Sequence, residues 1–477
     1  MSTAVQDIRS GIQQTAAVLD QAQSTLSRPI AFTYVPPSHA RALDPESTLV
    51  EGIRGAGKSF WFSLLASDKH RSFVQSRFPE ANLPPKIQIA HGFGMGVSVA
   101  QAPDADTLAV LLNRKFQARS IWRAVVAHSA KIRGEFALLT NWADRVRWTQ
   151  ENPESFAHAM EAADRAFTTR GELLLIMFDA LDRIAYDWQH IHQQAKGLLQ
   201  VALDMRSMRA IRCKVFVRPD LLQDAHVTSF TDYSKLFATK ASLLWQRADL
   251  YALLYQCLGN AEVSRYHFRT WIPRSKNDSS ADATSEWAVP SLLRKDEGRQ
   301  EALFERIAGK AMGSSIKRGK PYTWLVNHLQ DGLNQVSPRS FLAALGEAAT
   351  ATPEDFELPI DYRGIQRGVQ KASQIRVTEI SDDFPWVESV MKPLRGLTVP
   401  CRATEIEKAW REGKTVNQLE NSAQLPPQHL DQGTAGLLTE LETLGMVQRI
   451  EGRRIQMPDV YRVAFGLGRK GGVKPLK

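Results

Sequence analysis

The chain has 477 residues, 43% of them hydrophobic and 23% charged, with a formal net charge of +9. That length supports several cores, and the composition is ordinary for a globular protein. No run approaches the roughly 18 apolar residues of a membrane span, and the N-terminus lacks the basic-then-apolar layout of a secretion signal, so a cytoplasmic protein without membrane contact is expected. Cys213, Cys257 and Cys401 are far apart and show no C-x-x-C spacing, which argues against a disulfide framework and for reduced, buried thiols.

Residues 1–27 form a Gln-rich stretch with Val5, Ile8, Ile12 and Leu19 at helical spacing, suited to a packing arm or an oligomer contact. Pro36 and Pro37 break the chain. Residues 48–51 then give a short strand, followed at once by Gly52, Gly57, Lys58 and Ser59 in the fixed positions of G-x-x-x-x-G-K-[ST]. Gly55 and Ala56 lie inside that loop, and Phe60 continues into an apolar run suited to a buried helix. Glycines let successive N–H groups turn inward on phosphate oxygens, and the helix behind presents its positive end to the same anion. Lys58 is expected on the β- and γ-phosphates, and the Ser59 hydroxyl on Mg²⁺.

Residues 86–90 are a second strand. The glycines at 92, 94 and 96 fail the G-x-G-x-x-G spacing, so no second nucleotide site is drawn there. Helices over 104–130 and 154–169 read as an insertion before the third strand. That strand, at residues 173–178, is six apolar residues ending in Asp179; a fully buried parallel strand delivers its terminal carboxylate to the carboxyl edge of a sheet, beside the loop and its metal. Asp182 is either the base that orients water or an N-cap at the strand-to-helix turn. The next strand, to residue 217, ends in Arg218, which either senses the γ-phosphate or pairs with Asp220 or Asp182. A fifth strand is expected at 241–245 and a helix at 249–258.

Loop, acidic strand, polar-tipped strand, and a short strand ending in Trp245 before the helix near Asp249 resemble the AAA+/STAND branch of P-loop ATPases, the KAP- and Sll1717-type bacterial ATPases among them. The resemblance implies that Asp179 and Asp182 supply the Mg²⁺ and water contacts of an ATPase. The chain departs from AAA+ in that no Glu follows Asp179 directly, so the acidic strand lacks the Asp-Glu pair, and in lacking an obvious arginine-finger box. The guanine-reading N-K-x-D order is absent, which favours ATP over GTP.

Residues 274–285 are polar and have little to bury. Residues 301–350 are helical apart from 313–320, with Ser337 suited to an N-cap and Pro338 to a first turn. A helix entered this way resembles the lid of AAA+/STAND proteins, which makes Arg339 either a lid sensor or a solvated arginine. Helical pieces follow at 362–373 and 386–395. From about residue 400 the pattern reads as a winged helix: helices at 403–411, 415–422 and 436–444, a left-handed cap at Gly445, and a hairpin of 447–450 with 454–457. Residues 445–477 hold eight basic and two acidic side chains. Arg449, Arg453, Arg454, Arg469 and Lys470 are the candidates for DNA phosphates, unless the wing packs against the ATPase module instead.

No H-E-x-x-H, no G-x-S-x-G and no zinc-like Cys/His cluster occurs; His190 and His192 lie two apart and would point to different sides of a helix, as surface or core histidines. The expectation is therefore an α/β protein: a P-loop NTPase core with a parallel five-stranded sheet (residues 41–262, helical insertion about 100–170), an N-terminal helical arm (1–40), a helical lid and linker (263–398) and a winged helix (399–477). Its resemblance implies a Mg²⁺-dependent ATPase, a regulatory or motor subunit of an anti-phage defence or DNA-directed system acting with a separate effector or as a homo-oligomer. The alternatives are a nucleotide-gated scaffold with little turnover and a transposition- or replication-type loader.

Overall fold

The computed structural model of the chain describes residues 3–21, 29–272, 286–422 and 425–475; the end of the Gln-rich helix and the polar stretch at 274–285 lie outside the described residues. Two compact units form, Val35–Leu244 and a discontinuous one of Met1–Tyr34 with Trp245–Lys477.

The central unit is built on strands β1 (Leu49–Glu51), β2 (Ile87–Phe93), β3 (Leu173–Phe178), β4 (Ile211–Val217) and β5 (Ala241–Ser242) in the order β2-β3-β4-β1-β5. All four pairings are parallel. Consecutive residues of β3 from Leu174 to Phe178 are all at most 2% exposed, as a parallel strand covered on both faces requires. Because β1 and β3 flank β4, the chain leaving each of the three arrives at one edge of the sheet. Four helices separate β2 from β3, Ala105–Asn113, Ala118–Ser129, Trp142–Glu151 and Pro153–Arg170. The single helix expected over 104–130 is two, interrupted where Lys115 takes φ +61°. The helix at 142–151 was not anticipated; Asn141 caps it, accepting from the Asp144 N–H.

β4 carries a charged residue through the core. Lys214 is 0% exposed and its Nζ donates to Ala42 O, Asp44 O and Ser47 O at 2.7, 2.9 and 2.7 Å. One ammonium thereby closes three carbonyls of the segment entering β1. Burial pushes its pKa down to about 7, opposed by Asp44 and Glu46.

In the discontinuous unit, the helix Thr3–Gln21 buries Ile8 and Ile12 against helices Pro338–Ala351, Arg247–Leu258 and Arg265–Thr270. It packs within the chain, so the packing-arm alternative describes it. Arg9 fixes it in place: its guanidinium donates to the carbonyls of Pro353, Glu354, Phe356, Leu358 and Pro359. The C-terminal part runs β6 (Cys401–Arg402), helices Ala403–Glu412, Thr415–Glu420 and Gly433–Thr443, then β7 (Gln448–Ile450) and β8 (Arg454–Gln456). β8 lies between β6 and β7, antiparallel to both, which is the winged-helix arrangement. Gly445 takes φ +67° and closes the third helix with Gly445 N–H on Glu442 O and Met446 N–H on Leu441 O, the left-handed cap read from the sequence. β6 went unread, since two residues carry no alternation.

Lys214→Met removes the ammonium and strands three buried carbonyls, a change worth about 2–5 kcal/mol. The urea midpoint of the variant is expected to fall well below that of the parent; an unchanged midpoint would show that the three hydrogen bonds contribute nothing.

Candidate nucleotide-binding site

β1 hands the chain directly to the glycine loop, and each glycine has its own reason to be there. The Gly52 N–H donates to Val217 O at 3.1 Å, and a Cβ at Gly52 would lie 3.2 Å from both Ala56 Cβ and Leu243 Cβ. Gly55 and Gly57 take φ +78° and +106°, where a side chain is strained. Gly57 precedes the helix Lys58–Ala66, so the loop ends on that helix's positive end. Ala56 is buried and its N–H turns back to Ile53 O at 3.2 Å, while the Phe60 ring packs on Trp61.

Lys58 Nζ folds over this loop and donates to Gly52 O at 2.7 Å and Ile53 O at 3.1 Å. Next to it, the Ser59 hydroxyl donates to Asp179 Oδ2 at 2.7 Å. The strand end and the glycine loop therefore meet as the sequence predicts. Asp179 is 4% exposed, and its N–H is held by Phe93 O at 2.9 Å. Burial pushes its carboxyl above the usual range, against the Ser59 hydrogen bond and the Lys58 charge, which pull it down.

Past Asp179 the backbone turns through Ala180 at φ +57° into a short turn, Leu181–Arg183, which presents Asp182. The N-cap alternative for Asp182 fails: the helix that follows, Trp188–Met205, is capped by Asp187, which accepts from the His190 N–H. Instead Asp182 Oδ2 lies 3.5 Å from Arg218 Nη1. Arg218 is held by Asp220 in a two-pronged pair, Nε to Oδ1 at 3.0 Å and Nη2 to Oδ2 at 2.7 Å. Burial raises the Asp220 carboxyl, but Arg218, and more weakly Lys58, outweigh it and hold it below its ordinary value. Both pairing alternatives for Arg218 are thus realised in this state. Asp220, which the sequence offered only as a pairing partner, is the residue that aims the guanidinium.

The donor chemistry fits a hard dication and a polyphosphate. Ser59 and Asp179 offer oxygen ligands of the kind Mg²⁺ takes, a buried carboxylate gains from a nearby cation, and glycine backbone, helix end and ammonium converge on one anion-sized place.

The other predicted residues lie in the discontinuous unit. Arg339, at the start of helix Pro338–Ala351, donates Nη1 to Glu379 Oε1 at 2.9 Å, and Ser337 caps that helix through the Ser340 N–H. On the wing, Arg449 pairs with Glu442 at 2.9 Å, and Arg454 Nε donates to Glu451 O at 3.3 Å. Arg453 sits in the hairpin turn at φ +56°. Arg469 Nη1 lies 3.5 Å from Asp459 Oδ1, and Lys470 is exposed.

The core is that of a P-loop NTPase, followed in the chain by helical and winged-helix parts. No protein-family model matches the chain, and no curated protein matches it in sequence. Among solved structures it is similar to the Aeropyrum pernix ORC2 protein in its ADPNP and ADP complexes, at 12% identity and TM-score 0.37 over 90% of this chain and 93% of that one. The A. pernix ORC1 protein in complex with DNA matches at 12% identity and TM-score 0.31, covering 94% and 88% of the two chains. Cdc6p of Pyrobaculum aerophilum gives 12% identity and TM-score 0.30, covering 90% and 93%. Superpositions this loose carry no functional argument, and the site is read from its own residues.

Asp179→Asn tests the cost of the buried carboxylate. A carboxyl whose pKa is raised on folding loses stability as pH climbs from its unfolded value, about 3.9. The nucleotide-free variant is therefore expected to unfold at a higher temperature than the parent at pH 7, with the gap closing below about pH 4. A variant less stable at pH 7 would show that Ser59 and Lys58 more than compensate the burial.

Proposed function

We propose that the chain is a Mg²⁺-dependent ATPase of the AAA+/STAND-like type. The observation that carries this reading is the hydrogen bond between Ser59 and Asp179 beneath Lys58. Mg²⁺, when bound, supplies positive charge at the phosphoryl oxygens. Ser59 and Asp179 would hold it, each exchanging its present hydrogen bond for a metal contact. The Lys58 ammonium would leave the carbonyls of Gly52 and Ile53 for the β- and γ-phosphates, and the N–H groups of the glycine loop would take the remaining oxygens. Asp182 would orient water, accepting its proton, provided Arg218 no longer holds it. Arg218 is poised for that exchange, since drawing its Nη1 prong toward the γ-phosphate releases Asp182 while Asp220 keeps the guanidinium aligned. Phosphoryl transfer asks chiefly for positioning and charge compensation, so this small set suffices for slow turnover.

Lys58→Ala is expected to abolish ATP binding, read by titration with a fluorescent nucleotide. Asp182→Ala should leave that affinity within a few fold and lower turnover by about 10² or more. An Asp182→Ala protein that hydrolyses like the parent would remove Asp182 from the water-orienting role.

DNA is the macromolecular partner favoured by the wing, where Arg453 and Arg454 stand in solvent at the hairpin, with Lys470 exposed farther along the tail. Every basic side chain that neutralises a DNA phosphate adds about 1 to the slope of log K against log salt. Replacing Arg453 and Arg454 together by alanine is expected to flatten that slope by about 2. Equal slopes for the two proteins would assign the wing to packing, and would favour the reading in which ATP gates assembly with a protein effector.

A further inference from the structure

The central unit brings together a second set of ligating groups that shares no residue with the glycine loop. His192 comes from the helix Trp188–Met205, whereas Asp224 and His226 come from the start of the short helix Ala225–Thr228, which packs against it. His192 Nε2 stands 3.3 Å from Asp224 Oδ2, and His226 Nδ1 stands 3.0 Å from Asp224 Oδ1. One ligand atom from each of the three lies within 4.8 Å of the others. The two imidazole planes are 11° apart with centroids 5.7 Å apart.

One detail is not explained by hydrogen bonding. His192 Nε2 is buried and makes no hydrogen bond, although the Asp224 carboxylate is close enough to receive one. The distance suits a bond and the direction does not. Two ligand atoms bound at about 2.0–2.2 Å to one tetrahedral ion lie about 3.3–3.5 Å apart, which is the separation seen between His192 and Asp224. Asp224 is itself fixed, since its Oδ1 also accepts from the His226 N–H at 2.7 Å. The His226 side chain is 82% exposed, so an ion has access from solvent.

We propose that His192, Asp224 and His226 form a binding site for a divalent transition-metal ion of the zinc class, with the fourth position left to water. Two imidazoles and one carboxylate select such an ion over Mg²⁺, which prefers oxygen, so the site differs in chemistry from the Ser59 and Asp179 pair. The ion would clip two segments that have no covalent neighbourhood: the helix after β3 and the stretch after β4 that begins at Arg218. The spacing of the ligands along the chain follows no zinc pattern, which is why the sequence offers His192 only as a surface or core histidine.

Full-length protein, stripped with EDTA and free of nucleotide, is titrated with ZnCl₂ and separately with CoCl₂. One equivalent of Zn²⁺ is expected to raise the unfolding temperature by several degrees, and Co²⁺ to give the visible absorption of a low-coordinate site. His226→Ala, at an exposed position, should match the parent in EDTA and lose Zn²⁺ affinity at least tenfold together with the cobalt band. His192→Gln, read the same way, should lose both as well. Absence of the shift in the parent, or its survival in both variants, would overturn the proposal.

Discussion

A carboxylate removed from water costs free energy, and in this protein the Ser59 hydroxyl at 2.7 Å offsets part of that cost at Asp179. That hydrogen bond ties the end of β3 to the first turn after the glycine loop, and the sheet order makes it reachable. β4 lies between the strands that lead to the two partners, about 5 Å from each, and the residue that follows it, Arg218, arrives at the same edge. Three successive strand ends thus contribute the acid, the arginine and the anion cradle. The strands are short, and β3 is apolar throughout, because their task is to bring those ends into line.

What was legible followed from burial. The run 173–178 reads as a strand because six consecutive apolar residues suit a sheet covered on both sides, and its terminal Asp179 stands out against them. The glycine loop was equally plain, since Gly52, Gly55 and Gly57 answer to steric demands that other residues meet poorly. Short elements were less visible. β5 is two residues long where five were expected, and β6 is a two-residue strand identified by its partner in β8. The cap alternative for Asp182 rested on the usual place of an acid before a helix; Asp187 takes that place instead. Asp220 and the cluster at His192 depend on which helix packs on which, and local patterning holds no record of that.

Net charge is the feature that sequence reading weights most easily toward partners, yet part of the basic excess is consumed inside. Arg462 is 0% exposed and bonds Asp459, Leu467 O and Val473 O. Arg376, 5% exposed, faces Asp331, Glu379 and the Tyr461 hydroxyl. Lys214 and Arg9 serve backbone carbonyls. A guanidinium with five donors suits such work, because it satisfies several otherwise orphaned acceptors at once. In the tail, Asp459 is shared by Arg462 and Arg469, so among the described residues the charge available to an external polyanion lies chiefly at the hairpin, Lys470 and Lys474.

The anchoring of Arg9 bears on how the chain is made. Its acceptors, at residues 353–359, leave the ribosome hundreds of residues after the helix that needs them, and the whole central unit, Val35–Leu244, is translated in between. Domains fold as they emerge, so the central unit is complete while Ile8 and Ile12 still lack their seat. A nascent or prematurely terminated chain therefore leaves Ile8 and Ile12 without the surface that buries them after its central unit is finished.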